Sequence, residues 1–392
     1  MTRAYLDHAS TSPLRPAARE AVIAALDGRF GSLDDSTGDP GVATLGDPGR
    51  IHHEGMAARV ALETARERVA AAFGARSREV VFTSGASESI AAACFGARAR
   101  ADARAAGPGH MVLAAVEHSA VREWADRGPA TVVAVDRSGA VDPEELLAAV
   151  NDDTVLVHVQ WGNHEVGTLQ PVADVVAGCR ERGVLVHVDA AQAAGRVPID
   201  FGGLGADLLS LSGHKLGGPA GTGVLLVRRG VRLPPLLVGG DQERARRAGM
   251  ENVPGALGLA AATEDAESSI DVESSRQKEL AGRVRTWAAS QAGLDVVGAD
   301  ADASLPHLVC LTFPDVEPQP VLLGLDRAGV AVHSGSSCSS ESLEPSPVLQ
   351  AMGVDAHRSL RISVGWSSTD ADIDALLDAL PEVLDGLRSL GG

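Results

Sequence analysis

Lysine is nearly missing from this chain: of its 34 basic residues, all but Lys215 and Lys278 are arginine. The two cations are not chemically equivalent. A guanidinium keeps its proton inside a protein, whereas a buried amine can lose one and attack a carbonyl. Lys278 lies in the charged helical stretch "ESSRQKELAGR", where arginine would serve as well and a solvated surface role suffices. Lys215 follows the strand-like run "ADLLSLS" and sits between a histidine and "GGPAGTG", which makes it the candidate for Schiff-base chemistry. Positive charge is short altogether. The formal charge of −18 disfavours attraction to phosphate backbones or anionic lipid, so no direct nucleic-acid role is expected. Long uncharged apolar runs are absent, which excludes a membrane-spanning helix. Four scattered cysteines make no disulfide framework and the start "MTRAYLDHASTSP" lacks a signal-peptide core, so a reducing cytoplasm is the expected compartment. No metal site is expected.

What is present is a length of 392 residues, enough for two or three domains and a sizeable core. Residues 56–73 read as an amphipathic helix closed by Gly74. After it, apolar runs alternate with helical ones: "EVVFTSG", "HMVLAAVEH", "ATVVAVD", "TVLVHVQW", "VLVHVDAAQ", "DLLSLSG" and "GVLLVRR". That alternation predicts an α/β fold with a mostly parallel, seven-stranded sheet covered by helices on both faces. Beyond residue 262 a long polar helix precedes "HLVCLTFP", "GVAVHSG", "SLRISVGW" and a terminal helix, which predicts a smaller α+β domain. The expected division is residues 1–20 as a segment packing with the small domain, 21–261 as the large domain and 262–392 as the small one. The last helix has a capping-box-like start at Ser368-Thr369 with Asp372, and residues 31–49, rich in Gly, Asp and Pro, predict a loop.

In such sheets, ligands gather where strands end. "VVFTSGASESI" runs from strand through glycine into helix and offers backbone N–H groups, with the Ser84 and Ser87 hydroxyls, to an anion such as phosphate. "VLVHVDAAQ" ends a strand on Asp189, either a helix cap or a carboxylate able to hold a protonated pyridine nitrogen. His118 follows "MVLAAVE" and could stack on a flat ring or shuttle protons, while Asn163 and Gln192 could hydrogen-bond a ring oxygen. Together with Lys215 these residues describe pyridoxal phosphate.

Cys94, Cys179 and Cys310 have apolar neighbours and read as inert buried thiols. Cys338 lies in the serine-rich "VHSGSSCSSESLEPS", where burial does not explain it and a nucleophilic role does. Arg361 stands in the middle of the apolar strand "SLRISVGW", which calls for an anionic partner: a structural carboxylate or the carboxylate of an amino-acid substrate.

These motifs carry a resemblance. "YLDHASTSP", "FTSGASES", "VEHSAV", "NHEVGTLQP", "HVDAAQAAG", "SLSGHKLGGPAGTG", "GGDQERARRAGMENVPG", "HSGSSCSS" and "RISVG" follow one another as in the cysteine desulfurases of the class V aminotransferase group, pyridoxal-phosphate enzymes of fold type I, which the chain resembles over nearly its whole length. The resemblance implies that Lys215 links the cofactor, Asp189 partners its ring nitrogen, His118 stacks on the ring, and Gln192 and Asn163 contact it. It further implies Ala86, Ser87, Ser212 and His214 at the phosphate, Arg361, with Asn163, at the substrate carboxylate, and Cys338 as sulfur acceptor. The implied activity is desulfuration of L-cysteine to L-alanine, with a persulfide on Cys338 passed to an acceptor or scaffold protein in a thiolation, iron–sulfur or phosphorothioation pathway. A homodimer is implied as well. The competing readings are a C–S or C–Se lyase or aminotransferase of the same fold, and a cofactor-binding scaffold without turnover.

The chain departs from the family pattern at several points. Arg247-Ala248-Gly249-Met250 stands for Arg-Ser-Gly-Thr, Ala220 for the lysine of Gly-Pro-Lys-Gly, and His164 for the second of two asparagines. Asp47-Pro48-Gly49-Arg50 replaces Asn-Pro-Ser-Ser, which makes Arg50 the expected compensation for lost phosphate contacts.

Overall fold

A computed structural model describes residues 3–29, 45–102, 109–313, 316–334 and 345–391. Its strands are β1 (Ala4–Tyr5), β2 (Val80–Thr83), β3 (His110–Ala114), β4 (Ala130–Val133), β5 (Thr154–Gln160), β6 (Leu185–Asp189), β7 (Leu208–Ser212), β8 (Gly223–Val227), β9 (Asp295–Val297), β10 (Leu308–Thr312), β11 (Val330–Ala331) and β12 (Ser359–Ser363). Seven of them form one sheet in the order β2-β8-β7-β6-β5-β3-β4, in which only β8 runs against its neighbours. The runs of valine and leucine are continuous because both faces are covered. Side chains alternate between the faces along each strand. Met111 and Leu113 of β3, Leu156 of β5 and Leu208 of β7 pack with Ile90 and Cys94 of the helix Ala86–Asp102. Val112, Val157, Val159, Val186, Leu209 and Leu211 enter the larger cluster on the opposite face, with Val175 and Cys179 of the helix Val172–Arg182.

A second cluster surrounds the antiparallel sheet β12-β10-β9 and draws on helices Ile270–Ala289, Pro318–Arg327 and Asp370–Gly391. Leu6, just after β1, belongs to that cluster, and β1 pairs in parallel with β11. The chain's first turn therefore reaches the core built by its last third. The expected helix at 56–73 runs His53–Ala72, ending at Gly74 with a left-handed φ of 59°. The terminal helix starts as its sequence indicates: the Thr369 backbone N–H and hydroxyl both donate to the Asp372 carboxylate, at 2.8 and 2.9 Å. The helix Val253–Ser268 lies against helices Pro16–Leu26 and His53–Ala72. It is lined with small residues, and a Cβ on Gly258 would meet Val22 at 2.5 Å.

Candidate active site

The C-terminal ends of the parallel strands open into a cavity of about 540 Å³. β7 ends at Ser212, and Gly213 then turns the chain so tightly that a Cβ there would lie 2.2 Å from the Thr222 hydroxyl. The Gly213 N–H donates to the Thr222 carbonyl (2.9 Å), and the short 3₁₀ turn Gly213–Lys215 presents His214 and Lys215 to the cavity. Neighbouring strand ends supply the other walls. Asp189, the last residue of β6, lies beside Gln160, the last of β5. Its Oδ1 accepts from the Ala191 N–H (3.0 Å) and the Ser210 hydroxyl (3.3 Å), which fixes the carboxylate at the cavity wall.

His118 caps the helix Ser119–Ala125: its Nδ1 accepts from the Ala120 N–H at 3.1 Å, which leaves the proton on Nε2. Burial lowers its pKa, Lys215 lowers it further and Asp189 opposes both, so the ring is neutral at pH 7. At the opposite end Ser84, Gly85, Ala86 and Ser87 line the cavity at the start of the helix Ala86–Asp102. A strand-to-helix turn of this kind can present backbone N–H groups and hydroxyls to an anion. Glu88 in the same turn is held by Arg247 (2.9 Å) and accepts the Ser84 N–H (2.8 Å), so its charge is compensated.

Arg361 has the structural carboxylate that the sequence left as one of two alternatives, and it also reaches the cavity. Its Nη2 pairs with Asp7 (3.0 Å) and donates to the Ser10 hydroxyl (2.6 Å), its Nη1 donates to the His164 carbonyl (2.9 Å), and it still lines the cavity. Its buried Nε has no partner among the described residues.

The cavity thus brings together Lys215, Asp189, His118, Gln192, Ala86, Ser87, Ser212, His214 and Arg361. Asn163 departs from expectation. It is fully buried and does not line the cavity; its Oδ1 accepts from the N–H groups of Glu165 (2.8 Å) and Val166 (2.9 Å), and its Nδ2 donates to Val116 O (3.2 Å). The amide is occupied in shaping the turn that presents His164. Gln192 lines the cavity while its Nε2 donates to Ala9 O at 2.8 Å. Arg50 is exposed, pairs with Asp47 (3.1 Å) and does not line the cavity, so the expected compensation is not made there. Ala220 does line it, and Met250 lines an adjoining pocket that shares Ser84 and Gly221. Cys338 lies outside the described residues, as does most of the expected loop at 31–49. Cys94, Cys179 and Cys310 are buried, and burial pushes each thiol up to about 12, as inert thiols require.

Sequence reasoning missed Glu117 altogether. Its Oε1 accepts from the Gln160 N–H (2.8 Å) and its Oε2 is buried without a partner among the described residues. Burial, reinforced by Asp189, raises its pKa to about 8, so it is a neutral acid at pH 7. Asp7, which orients Arg361, and Glu165, which adjoins His164, were also missed. The only signal for Glu117 and Glu165 was their adjacency to a histidine in "VEH" and "NHE".

A family model described as aminotransferase class-V matches residues 4–376. A cysteine desulfurase IscS of Dictyoglomus turgidum is 38% identical over 394 residues, covering 98% of this chain and 95% of its own. The chain belongs to the cysteine desulfurase family of class-V aminotransferases. An IscS-like cysteine desulfurase of Mycobacterium tuberculosis is 39% identical over 395 residues, covering 96% and 95%. Among solved structures, a NifS-like protein is 31% identical with a TM-score of 0.87, covering 98% of this chain and all of its own. The fold is that of the NifS-like cysteine desulfurases, α/β with a mostly parallel central sheet.

Proposed function

We propose that the protein is a pyridoxal-phosphate-dependent cysteine desulfurase that converts L-cysteine to L-alanine and passes the sulfur to Cys338 as a persulfide. The observation that carries this reading is the single cavity joining Lys215, Asp189, His118, the anion cradle at residues 84–87 and Arg361. That donor set fits the cofactor: an amine for its aldehyde, a carboxylate for its ring nitrogen, an imidazole for its face and N–H groups for its phosphate. When bound, pyridoxal phosphate supplies a sink for the electrons of the substrate's Cα–H bond.

The chain's own groups do the rest. Lys215 Nζ would hold the cofactor's aldehyde and, as a free amine, would take the substrate's Cα proton. Asp189 keeps the ring nitrogen protonated. Ala86, Ser87, Ser212 and His214 hold the phosphate, with Gln192 at the ring. Arg361, kept in place by Asp7, takes the substrate carboxylate. The Cys338 thiolate accepts the sulfur and delivers it to an acceptor protein. The segments 1–20, 21–261 and 262–392 are proposed as the working units, with joints inside the helices Pro16–Leu26 and Val253–Ser268. A homodimer is proposed too, supported by the exposed Ile51, Met56, Val60, Val238 and Met250. The proposed setting is cytoplasmic; among the described residues no helix is long and apolar enough to cross a membrane.

The test is alanine and sulfide release from L-cysteine by the cofactor-loaded protein with a thiol reductant, beside Cys338→Ala. Equimolar products that vanish in the variant are expected. Undiminished products in Cys338→Ala would sink the persulfide route and favour a lyase.

A further inference from the structure

The turn that carries Lys215 is held by its own backbone. Four successive carbonyl oxygens each accept from a group outside the turn. His214 O takes the Ser12 N–H (2.8 Å), Lys215 O takes Arg196 Nη2 (3.1 Å), Leu216 O takes Arg15 Nε (3.0 Å) and Gly217 O takes the Arg15 N–H (2.8 Å). The donor on Lys215 itself is therefore a guanidinium.

Arg196 differs from the other buried arginines near the site. Arg15 is matched by Glu273 and Asp265, and Arg361 by Asp7. Arg196 is 4% exposed, and its hydrogen bonds among the described residues all go to neutral oxygens: Lys215 O, the Ser12 hydroxyl (3.1 Å) and Gln277 Oε1 (3.2 Å). Glu273 acts on it from a distance, but Arg15 already binds both oxygens of that carboxylate. The neighbouring histidines add no negative charge. His8, whose Nδ1 meets the Ser12 hydroxyl at 3.0 Å, is held down to about 3 by burial and three arginines, and is neutral at pH 7. Burial lowers Arg196 to about 10, which leaves the guanidinium charged.

We propose that Arg196 is a positioning residue for Lys215: it pins the turn through the Lys215 carbonyl and, as a buried cation without a carboxylate of its own, keeps the lysine side chain in the free-amine form that attacks an aldehyde or takes a proton. The inference rests on the role given to Lys215 above. Arg196 Nη2 lies 3.1 Å from Lys215 O, so covalent reach keeps the guanidinium within about 10 Å of Nζ. Inside a protein, a cation at that separation moves an amine's protonation by about tenfold toward the free base. A neighbouring cation is one of the ways by which a lysine becomes a nucleophile.

The other groups around Lys215 leave this task to Arg196. His118, His164, His214 and His307 face the lysine, and burial holds each below the usual histidine range. Arg361 lines the same cavity with its charge matched by Asp7. Of the carboxylates that line the cavity among the described residues, Glu88 is matched by Arg247, whereas Asp189 favours the charged amine. Asp189 is thus the group against which Arg196 acts.

The scarcity of lysine supplies the test, since Lys215 and Lys278 are the two lysines of the chain. Reductive methylation of the full-length, cofactor-free protein, followed peptide by peptide by mass spectrometry from neutral to about pH 11, reads the free-amine fraction of Lys215 against that of the exposed Lys278. Arg196→Gln removes the cation. Gln277→Glu sets a carboxylate against it at the existing hydrogen bond and keeps every bond to the turn. Each should lower the free-amine fraction of Lys215 at neutral pH by about tenfold and leave Lys278 unchanged, while Arg196→Lys should hold the parent's value. A purely structural role for Arg196 would not move Lys215 in Gln277→Glu, which also decides the matter should Arg196→Gln fail to fold. In the cofactor-loaded protein, the acid limb of kcat for alanine formation should move to higher pH in the same two variants. A Lys215 that keeps the parent's free-amine fraction in Gln277→Glu overturns the inference and leaves the desulfurase reading standing. A parent that makes no alanine overturns the desulfurase reading, while the amine titration, which needs no turnover, still decides whether Arg196 acts on Lys215.

Discussion

Lys215→Arg keeps a cation in the cavity and removes both tasks proposed for the amine, joining the cofactor and taking the Cα proton. A guanidinium cannot form the Schiff base, so alanine release should drop by at least about a thousandfold while the protein stays folded, checked by product assay beside circular dichroism. Asp7→Asn tests the opposite end. Arg361 is 1% exposed and would lose its carboxylate partner among the described residues, which should lower the melting temperature. A bound amino acid then supplies the missing anion, so saturating L-alanine should stabilise Asp7→Asn more than the parent in a thermal-shift series; equal stabilisation would refute the pairing. Glu117→Gln removes an acid raised from its ordinary value to about 8. Between those two values the folded state holds a proton that the unfolded state has released, so stability falls as pH rises. The glutamine variant should therefore gain about 1–3 kcal/mol more over the parent at pH 8 than at a pH below the ordinary carboxyl value, measured by urea unfolding. These residues also mark where sequence reading stops. The placing of Lys215, Asp189 and His118 at one cavity was legible because each ends a strand or follows one within four residues. Asp7 was not, because its partner lies 354 positions away, and Glu117 was not, because its burial is set by strands that its own neighbourhood does not reveal.

Elements were more legible than contacts because period and turn chemistry are local. The apolar runs became the strands of the seven-stranded sheet, and Gly74 closed its helix. The segment 241–247 escaped that logic. Glu243, Arg244 and Ala245 all have left-handed φ angles, of 47°, 59° and 60°, with no glycine among them. Tertiary contacts impose the conformation. The Glu243 carboxylate accepts from Arg66 Nη1 (2.6 Å), Arg66 Nη2 (2.8 Å) and the Phe82 N–H (3.0 Å), and the Arg66 guanidinium lies over the Phe82 ring. A buried bidentate pair of this kind outweighs local preference. Ala245→Gly should relieve strain at one of the three positions and raise stability by up to about 1 kcal/mol, less the entropy glycine adds to the unfolded chain. Ala245→Val should lower it. A fall in urea midpoint for the glycine variant would mean that Ala245 is not strained.

At the scale of the molecule, the site is assembled by two cores that meet across the chain's first fifteen residues. β1 pairs with β11, the Ser363 N–H donates to Leu6 O (2.8 Å), and the Ser12 N–H donates to His214 O (2.8 Å), next to the candidate lysine. Arg196 is fully buried and reaches three parts at once: the Ser12 hydroxyl, the Lys215 carbonyl and the Gln277 side chain. Burial lowers it to about 10, so it remains charged at neutral pH and needs all three oxygens. Arg15 carries the ionic part of the joint. Its buried side chain pairs with Glu273 through both terminal nitrogens (2.8 and 2.6 Å) and with Asp265 (2.8 Å), and its Nε donates to Leu216 O (3.0 Å). The sequence showed an arginine in a Pro-rich start and nothing of this. Removing the cation strands Glu273, whose side chain is only 14% exposed, so Arg15→Ala should cost about 3–5 kcal/mol. If the joint is what makes the two cores unfold together, the loss will be visible in shape as well as in midpoint. The urea transition should broaden or split, with a smaller m-value, and should do so less in Asp265→Asn, whose partner keeps Glu273. A single transition of unchanged slope at a lower midpoint would mean that Arg15 stabilises one core without coupling it to the other.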